Sequence, residues 1–118
     1  MINSSNREAQ GKWAEARAAQ YLADKGLILL DRNFRTKMGE IDLIMQEDNM
    51  LVFVEVRYRK TNLFGSPVES VDRRKQIKLI KTAECYLASH KKYARMPSRF
   101  DVVGISNTIE WIRNAFGV

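Results

Sequence analysis

The sequence predicts an α/β domain with a mixed central β-sheet and flanking helices, in the order α-β-β-β-α-β-β. Three observations lead there. Apolar residues recur at helical spacing in two stretches, five other stretches have the composition strands favour, and the second helical stretch separates the third strand from the fourth. A helix in that place permits the crossover that two parallel strands need. With 118 residues, 45% hydrophobic and 29% charged, the chain can bury one core. We read residues 1–118 as a single domain with 1–6 as a flexible start.

From Arg7 to Lys25 strong helix formers dominate, Ala14, Ala18, Tyr21 and Leu22 share one face, and Gly26 stands where a C-terminal cap belongs. Leu27 to Arg35 reads as a strand, Thr36 to Gly39 as a turn, and Glu40 to Gln46 as a second strand. After Glu47 to Met50, Leu51 to Tyr58 forms the third strand, in a hairpin with the second. Arg59 to Gly65 is a polar loop. Ser66-Pro67-Val68-Glu69 has the pattern of a capping box with Pro at the first helical position, so a helix starts between Pro67 and Val71 and ends near His90. The spacing predicts that it buries Ile77, Ile80, Ala83 and Leu87 and turns Arg74, Lys78 and Lys81 outward. Beyond a loop from Lys91 to Pro97, Arg99 to Ser106 and Thr108 to Ala115 form two strands paired around Ser106-Asn107.

Charge is unevenly placed. The 20 Lys+Arg and 14 Asp+Glu leave a net +6, and the segment Arg57 to Lys81 holds all of that excess in Arg57, Arg59, Lys60, Arg73, Arg74, Lys75, Lys78 and Lys81 against Glu69 and Asp72. Such a stripe is the electrostatic footprint of polyanion binding, or else an ordinary solvated helix face. Other classes are excluded. Apolar runs such as Leu27 to Leu30 fall far short of the roughly 20 residues that span a bilayer. The polar start, without an apolar signal core, points to the cytoplasm. A lone Cys85 and a lone His90 build neither a disulfide framework nor a zinc ligand set, so any metal is held mainly by oxygen.

If Asp48 and Asn49 form a two-residue loop, partners across the hairpin have numbers summing to 97, and Asp42 faces Glu55. Directly opposed Cβ atoms lie roughly 4.5–5.5 Å apart, and like charges there destabilise the pair by a few tenths to about 1 kcal/mol. Glu40 and Arg57 extend this acidic face, while Ile41, Leu43 and Met45 against Val52, Val54 and Val56 make the opposite face core. Either a divalent cation such as Mg²⁺ or Mn²⁺ or a salt bridge to Arg57 offsets the repulsion.

Gly39-Glu40-Ile41-Asp42-Leu43-Ile44, followed by Phe53-Val54-Glu55-Val56-Arg57, resembles the D…(D/E)xK signature of restriction-endonuclease-like nucleases. More closely, the sequence resembles the YraN-like family of small predicted endonucleases, related to archaeal Holliday-junction resolvases. The likeness extends over Gly11, Ala14-Glu15, Asn33-Phe34-Arg35, Arg74-Lys75-Gln76 and Arg99-Phe100-Asp101-Val102-Val103. It implies a restriction-endonuclease-like fold and Mg²⁺-dependent (or Mn²⁺-dependent) hydrolysis of DNA, branched or otherwise structured. It also implies, by analogy with resolvases, a homodimer. On this resemblance Asp42 and Glu55 hold the metal and Glu15 completes the catalytic set with Arg57. Glu15 shares a helical face with Ala18, Ala19 and Leu22, which turns it toward the sheet; the plainer reading is an exposed helix glutamate.

Arg57 departs from the more familiar lysine. A guanidinium stays charged and cannot act as a base, although it can clamp a phosphate. Any base must then come from water on the metal. Arg59, Lys60, Arg74, Lys75, Lys78 and Lys81 form the candidate nucleic-acid track. Gln76 is a possible site residue or a solvated helix position, and Asp101 reads as structural. Trp13, Tyr58, Phe64 and Trp111 stack on bases or fill core and surface. The alternative function is a nucleic-acid-binding module that keeps the fold without the chemistry. A protein-interaction domain with an incidental basic face is a third.

Overall fold

The computed structural model describes residues 4–60 and 66–117, with side chains from residue 7 on. Helix α1 (Ser4–Asp24) begins three residues before the expected start and ends at the expected glycine. Gly26 takes a φ of +99°, and the amides of Gly26 and Leu27 turn back onto the carbonyls of Ala23 and Leu22. Leu27 and Leu22 join the same core, which sends the chain directly into strand β1 (Ile28–Thr36). Tight turns at Lys37–Met38 and Asp48–Asn49 then connect β2 (Gly39–Glu47) and β3 (Met50–Tyr58), with Asp48 at a φ of +53°, which aspartate tolerates.

A 3₁₀ turn (Pro67–Ser70) precedes helix α2 (Arg73–Ser89), and a second one (Lys91–Tyr93) leads to β4 (Ser98–Ile105) and β5 (Ile109–Phe116). The five strands form one sheet in chain order, antiparallel throughout except for the parallel pair β3–β4. The α/β class, the element order and the mixed sheet all agree with the sequence pattern. No helix among the described residues is long and apolar enough to cross a membrane.

The start of the second helix differs from the expectation. Ser66 does cap, but it caps the 3₁₀ turn by accepting the Val68 N–H at 3.3 Å. Val71, at a φ of −107°, interrupts the helical path, and Asp72 caps α2 by accepting the Lys75 N–H at 2.9 Å. The turn is pinned from below. A Cβ on Gly104 would come within 2.1 Å of Pro67 Cγ, so the proline ring rests on a bare stretch of β4.

Both faces of the sheet are dry, which corrects the expected hairpin with one dry face. Ala14, Ala18, Ala19 and Leu22 of α1 cover Leu43, Met45, Val52, Val54, Val103 and Ile105. On the other face Leu79, Ala83 and Tyr86 of α2 cover Ile41, Ile44, Leu51, Phe53, Phe100 and Val102. Fully burying one such aliphatic or aromatic side chain stabilises the fold by about 1.5–3 kcal/mol. Of the α2 face read as Ile77, Ile80, Ala83 and Leu87, Ala83 is buried and Ile80 and Leu87 pack half-buried against the core, but Ile77 is exposed, and the fully buried line is Leu79, Thr82, Ala83 and Tyr86. Tyr86 sets this rotation by packing edge-on against Phe34 and Phe53.

At the end of the sheet where β4 begins, Asp101 is completely buried. It accepts from Arg99 Nε at 3.0 Å, Arg99 Nη2 at 3.2 Å, Trp111 Nε1 at 2.9 Å and the Asn114 amide at 2.9 Å. Its role is structural, and the Trp111 indole is committed to it. We expect Gly104→Ala to push the Pro67 turn off β4 and to cost about 1–3 kcal/mol as an overpacking change, measured by urea denaturation.

Candidate functional site

The β2–β3 ladder runs from Glu47–Met50 to Leu43–Val54, the register that the two-residue loop requires. There it stops. Asp42 Oδ2 accepts the Val56 N–H at 2.8 Å, so a side chain fills the gap where the strands part. The faces of β2 also exchange at this residue. Gly39 and Ile41 lie on the α2 side with Ile44, whereas Leu43 and Met45 pack under α1. In a regular strand residues 41 and 43 would share a face, so Asp42 sits at a kink. Across from it in β1, Asn33 adopts a φ of +50° between the pairs Arg32–Leu43 and Phe34–Ile41. Asparagine is among the few side chains that tolerate this conformation.

The kink places Asp42 between two groups. Toward α1, Asn33 Nδ2 donates to Glu15 Oε1 at 2.9 Å and to Glu40 Oε1 at 2.8 Å, and Arg35 Nε holds Glu40 Oε2 at 3.1 Å. Carboxylate oxygens of Glu15, Glu40 and Asp42 all lie within 4.8 Å of one another. Toward α2, Glu55 is 5% exposed, and its Oε2 pairs with Arg57 Nη2 at 3.1 Å and Lys75 Nζ at 3.8 Å. Its Oε1 is buried with no hydrogen-bond partner among the described residues, as is Arg57 Nε. Burial, with the Glu55 carboxylate beside it, pushes the Asp42 carboxyl up to about 8 against the opposing pull of the Val56 N–H.

Glu15, Asp42, Glu55 and Arg57 are therefore gathered at one end of β2 and β3. The expected ion pair between Glu55 and Arg57 forms, yet no cation among the described residues pairs with Asp42. Arg57 thus partners only one of the two carboxylates. Glu40 does not join the Glu55 face that hairpin alternation assigns it, because the kink turns it to Glu15. Asn33 was not singled out for the site by sequence reasoning; its signal, an asparagine inside a strand, becomes meaningful only once its backbone conformation is seen.

Among the candidate track residues, Lys75 reaches Glu55, while Arg74, Lys78 and Lys81 are exposed along α2 and Lys60 is exposed after β3. Arg59 is half-buried, and its amide continues the pairing with β4 by donating to Ile105 O at 2.9 Å. Gln76 donates to Val71 O and accepts from Arg73, so it closes the first turn of α2. Phe64 lies outside the described residues, and His90 stacks on Tyr86 with ring centroids 3.9 Å apart.

The donor set is wholly carboxylate oxygen, and the orphaned buried Glu55 Oε1 beside Asp42 fits a hard divalent cation such as Mg²⁺ or Mn²⁺. Without metal, the folded protein holds a proton at Asp42 that the unfolded chain, with an ordinary carboxylate pKa of 3.8, releases. That contribution to stability is complete below about pH 4 and lost as pH rises through about 8. We expect chelator-treated protein to melt at progressively lower temperature across this window, and Asp42→Asn to flatten the slope.

Comparison with known proteins gives the family. Residues 14–105, which include Glu15, Asn33, Glu40, Asp42, Glu55, Arg57 and Lys75, match the model of a family described as "Uncharacterised protein family UPF0102". A UPF0102 protein of Stutzerimonas stutzeri (strain A1501) is 49% identical over 117 residues, 95% of this chain and 98% of the relative. One from Saccharophagus degradans is 52% identical over 107 residues, covering 90% and 91%, and one from Nitrosomonas europaea is 50% identical over 111 residues, covering 91% and 92%. With nearly its whole length aligned to these relatives, the chain belongs to the UPF0102, or YraN-like, family.

Proposed function

We propose that this protein is a Mg²⁺- or Mn²⁺-dependent endonuclease that hydrolyses phosphodiester bonds in DNA, branched or otherwise structured. The observation that carries the reading is the junction at Asp42. Asp42 lies beside the buried Glu55, whose Oε1 no cation or amide of the described residues satisfies, with Glu15 and Glu40 on one side and Arg57 and Lys75 on the other. When bound, a hard cation polarises a phosphoryl oxygen and acidifies a water.

The chain's own residues supply the rest. Asp42 and Glu55 would hold the cation, and Asn33 keeps the Glu15 and Glu40 carboxylates beside Asp42. A guanidinium does not serve as a base, so Arg57 binds the phosphate and stabilises charge that develops there. Lys60, Arg74, Lys78 and Lys81 give the departing strand a cationic surface.

A second reading, a nucleic-acid-binding module without catalysis, has one observation in its favour: Arg57 and Lys75 already occupy Glu55 Oε2 and compete with a metal for it. The two separate in solution. We expect purified protein to cut branched, nicked or linear DNA in Mg²⁺ or Mn²⁺ and not in chelator, with cleavage abolished in Asp42→Asn/Glu55→Gln. Equal results with and without metal would favour the binding module. Under either reading Arg74→Ala/Lys78→Ala weakens DNA binding at all sequences and reduces the logarithmic salt slope by about 2. Asn33→Ala, which frees Glu15 and Glu40, weakens the Mg²⁺ response by about 10- to 100-fold, read from cleavage against metal concentration.

A further inference from the structure

Trp13 and Tyr58 are two large aromatics that the core leaves largely outside. Helix α1 is anchored by Ala14, Ala18, Ala19 and Leu22, and Trp13, off that line, stays 52% exposed, while Tyr58 at the end of β3 is 37% exposed. The rings meet edge-to-face with centroids 6.0 Å apart. In that geometry the ring presenting its edge keeps both faces clear of its partner.

Their location relates them to the carboxylates. Tyr58 is two residues beyond Val56, whose N–H Asp42 holds, which is roughly 7 Å along a strand. Trp13 is two residues before Glu15 on α1. The aromatic pair therefore adjoins the acidic junction through both elements, β3 and α1. Two exposed cations flank it: Lys60 lies two residues past Tyr58, and Arg17 lies one helical turn from Trp13. Aromatic faces beside a cationic groove hold unpaired bases, whose faces are free; in duplex DNA those faces are stacked and only edges and phosphates are offered.

We infer that Trp13 and Tyr58 form a stacking platform for an unpaired nucleobase of a DNA strand whose neighbouring phosphate is bound at Asp42 and Glu55. The inference rests on the nuclease reading and names what the site selects: DNA that is single-stranded next to the bond to be cut.

The test is binding in chelator, where nothing is cut. Fluorescence anisotropy measures the affinity of the full chain for labelled oligothymidylate and for a duplex of equal length, and tryptophan emission is followed alongside. Oligothymidylate is expected to quench emission in the wild type and not in Trp13→Phe, because the Trp111 indole is bound to Asp101. Trp13→Ala and Tyr58→Ala are each expected to weaken oligothymidylate binding by roughly tenfold and to leave duplex binding unchanged, and Trp13→Phe to retain most of the affinity. Equal losses for single strand and duplex, or no loss for either, would overturn the platform and leave the nuclease reading intact. Selective loss in a protein that never cuts DNA would support the platform and sink the nuclease. Failure of the wild type to bind any DNA would remove both.

Discussion

At the end of the β2–β3 ladder a side chain replaces the backbone as hydrogen-bond acceptor, and the rest of the site depends on that replacement. A buried amide without a partner costs about 1–3 kcal/mol, so the Val56 N–H needs an acceptor where the strands part. Asp42 supplies it at 2.8 Å. The consequence is a carboxylate drawn into a dry part of the sheet beside Glu55, where burial and like charge both oppose its ionisation. One hydrogen bond holds the carboxylate in place, and its surroundings leave it short of positive charge.

The scaffold keeps the conflict from relaxing. Asn33 and Asp42 depart from regular strand geometry at the same level, and the Asn33 amide ties Glu15 of α1 to Glu40 of β2, so the acidic cluster spans three elements. On the opposite side Pro67, seated on Gly104, fixes the approach to α2, and the first turn of that helix brings Lys75 to Glu55. Gly104 pairs with Arg57 across the parallel β3–β4 register. The same two strands thus carry both the seat of the turn and the residue that partners Glu55. Of the cations that face the acids, Lys75 comes from α2, whereas Arg57 shares β3 with Glu55.

Much of this was legible beforehand. Two-residue turn chemistry gives the hairpin register, and the register brings Asp42 and Glu55 to the same level. Gly26 announces the end of α1, and the helix between β3 and β4 allows their parallel pairing. Ser66-Pro67-Val68-Glu69 misled because a capping pattern reports only that a helical turn begins, and this one lasts a single 3₁₀ turn before Val71 breaks it. The α2 face was misjudged because aliphatic spacing pointed to Ile77, whereas the large ring of Tyr86 decided the rotation. Glu40 was assigned by alternation, which fails across a kinked strand.

By itself the sequence determined the order of elements, the hairpin, the expectation that any metal is held mainly by oxygen, and the concentration of positive charge between Arg57 and Lys81. These follow from local chemistry: turn residues, periodicity and the scarcity of cysteine and histidine. Only the tertiary structure decided which carboxylates meet, that Glu15 and Glu40 are joined through Asn33, and that Lys75 leaves the basic track for Glu55. It alone brought Trp13 and Tyr58 together. Those contacts join residues distant in the chain across a kink of a single residue, and no periodic pattern registers a kink of that size.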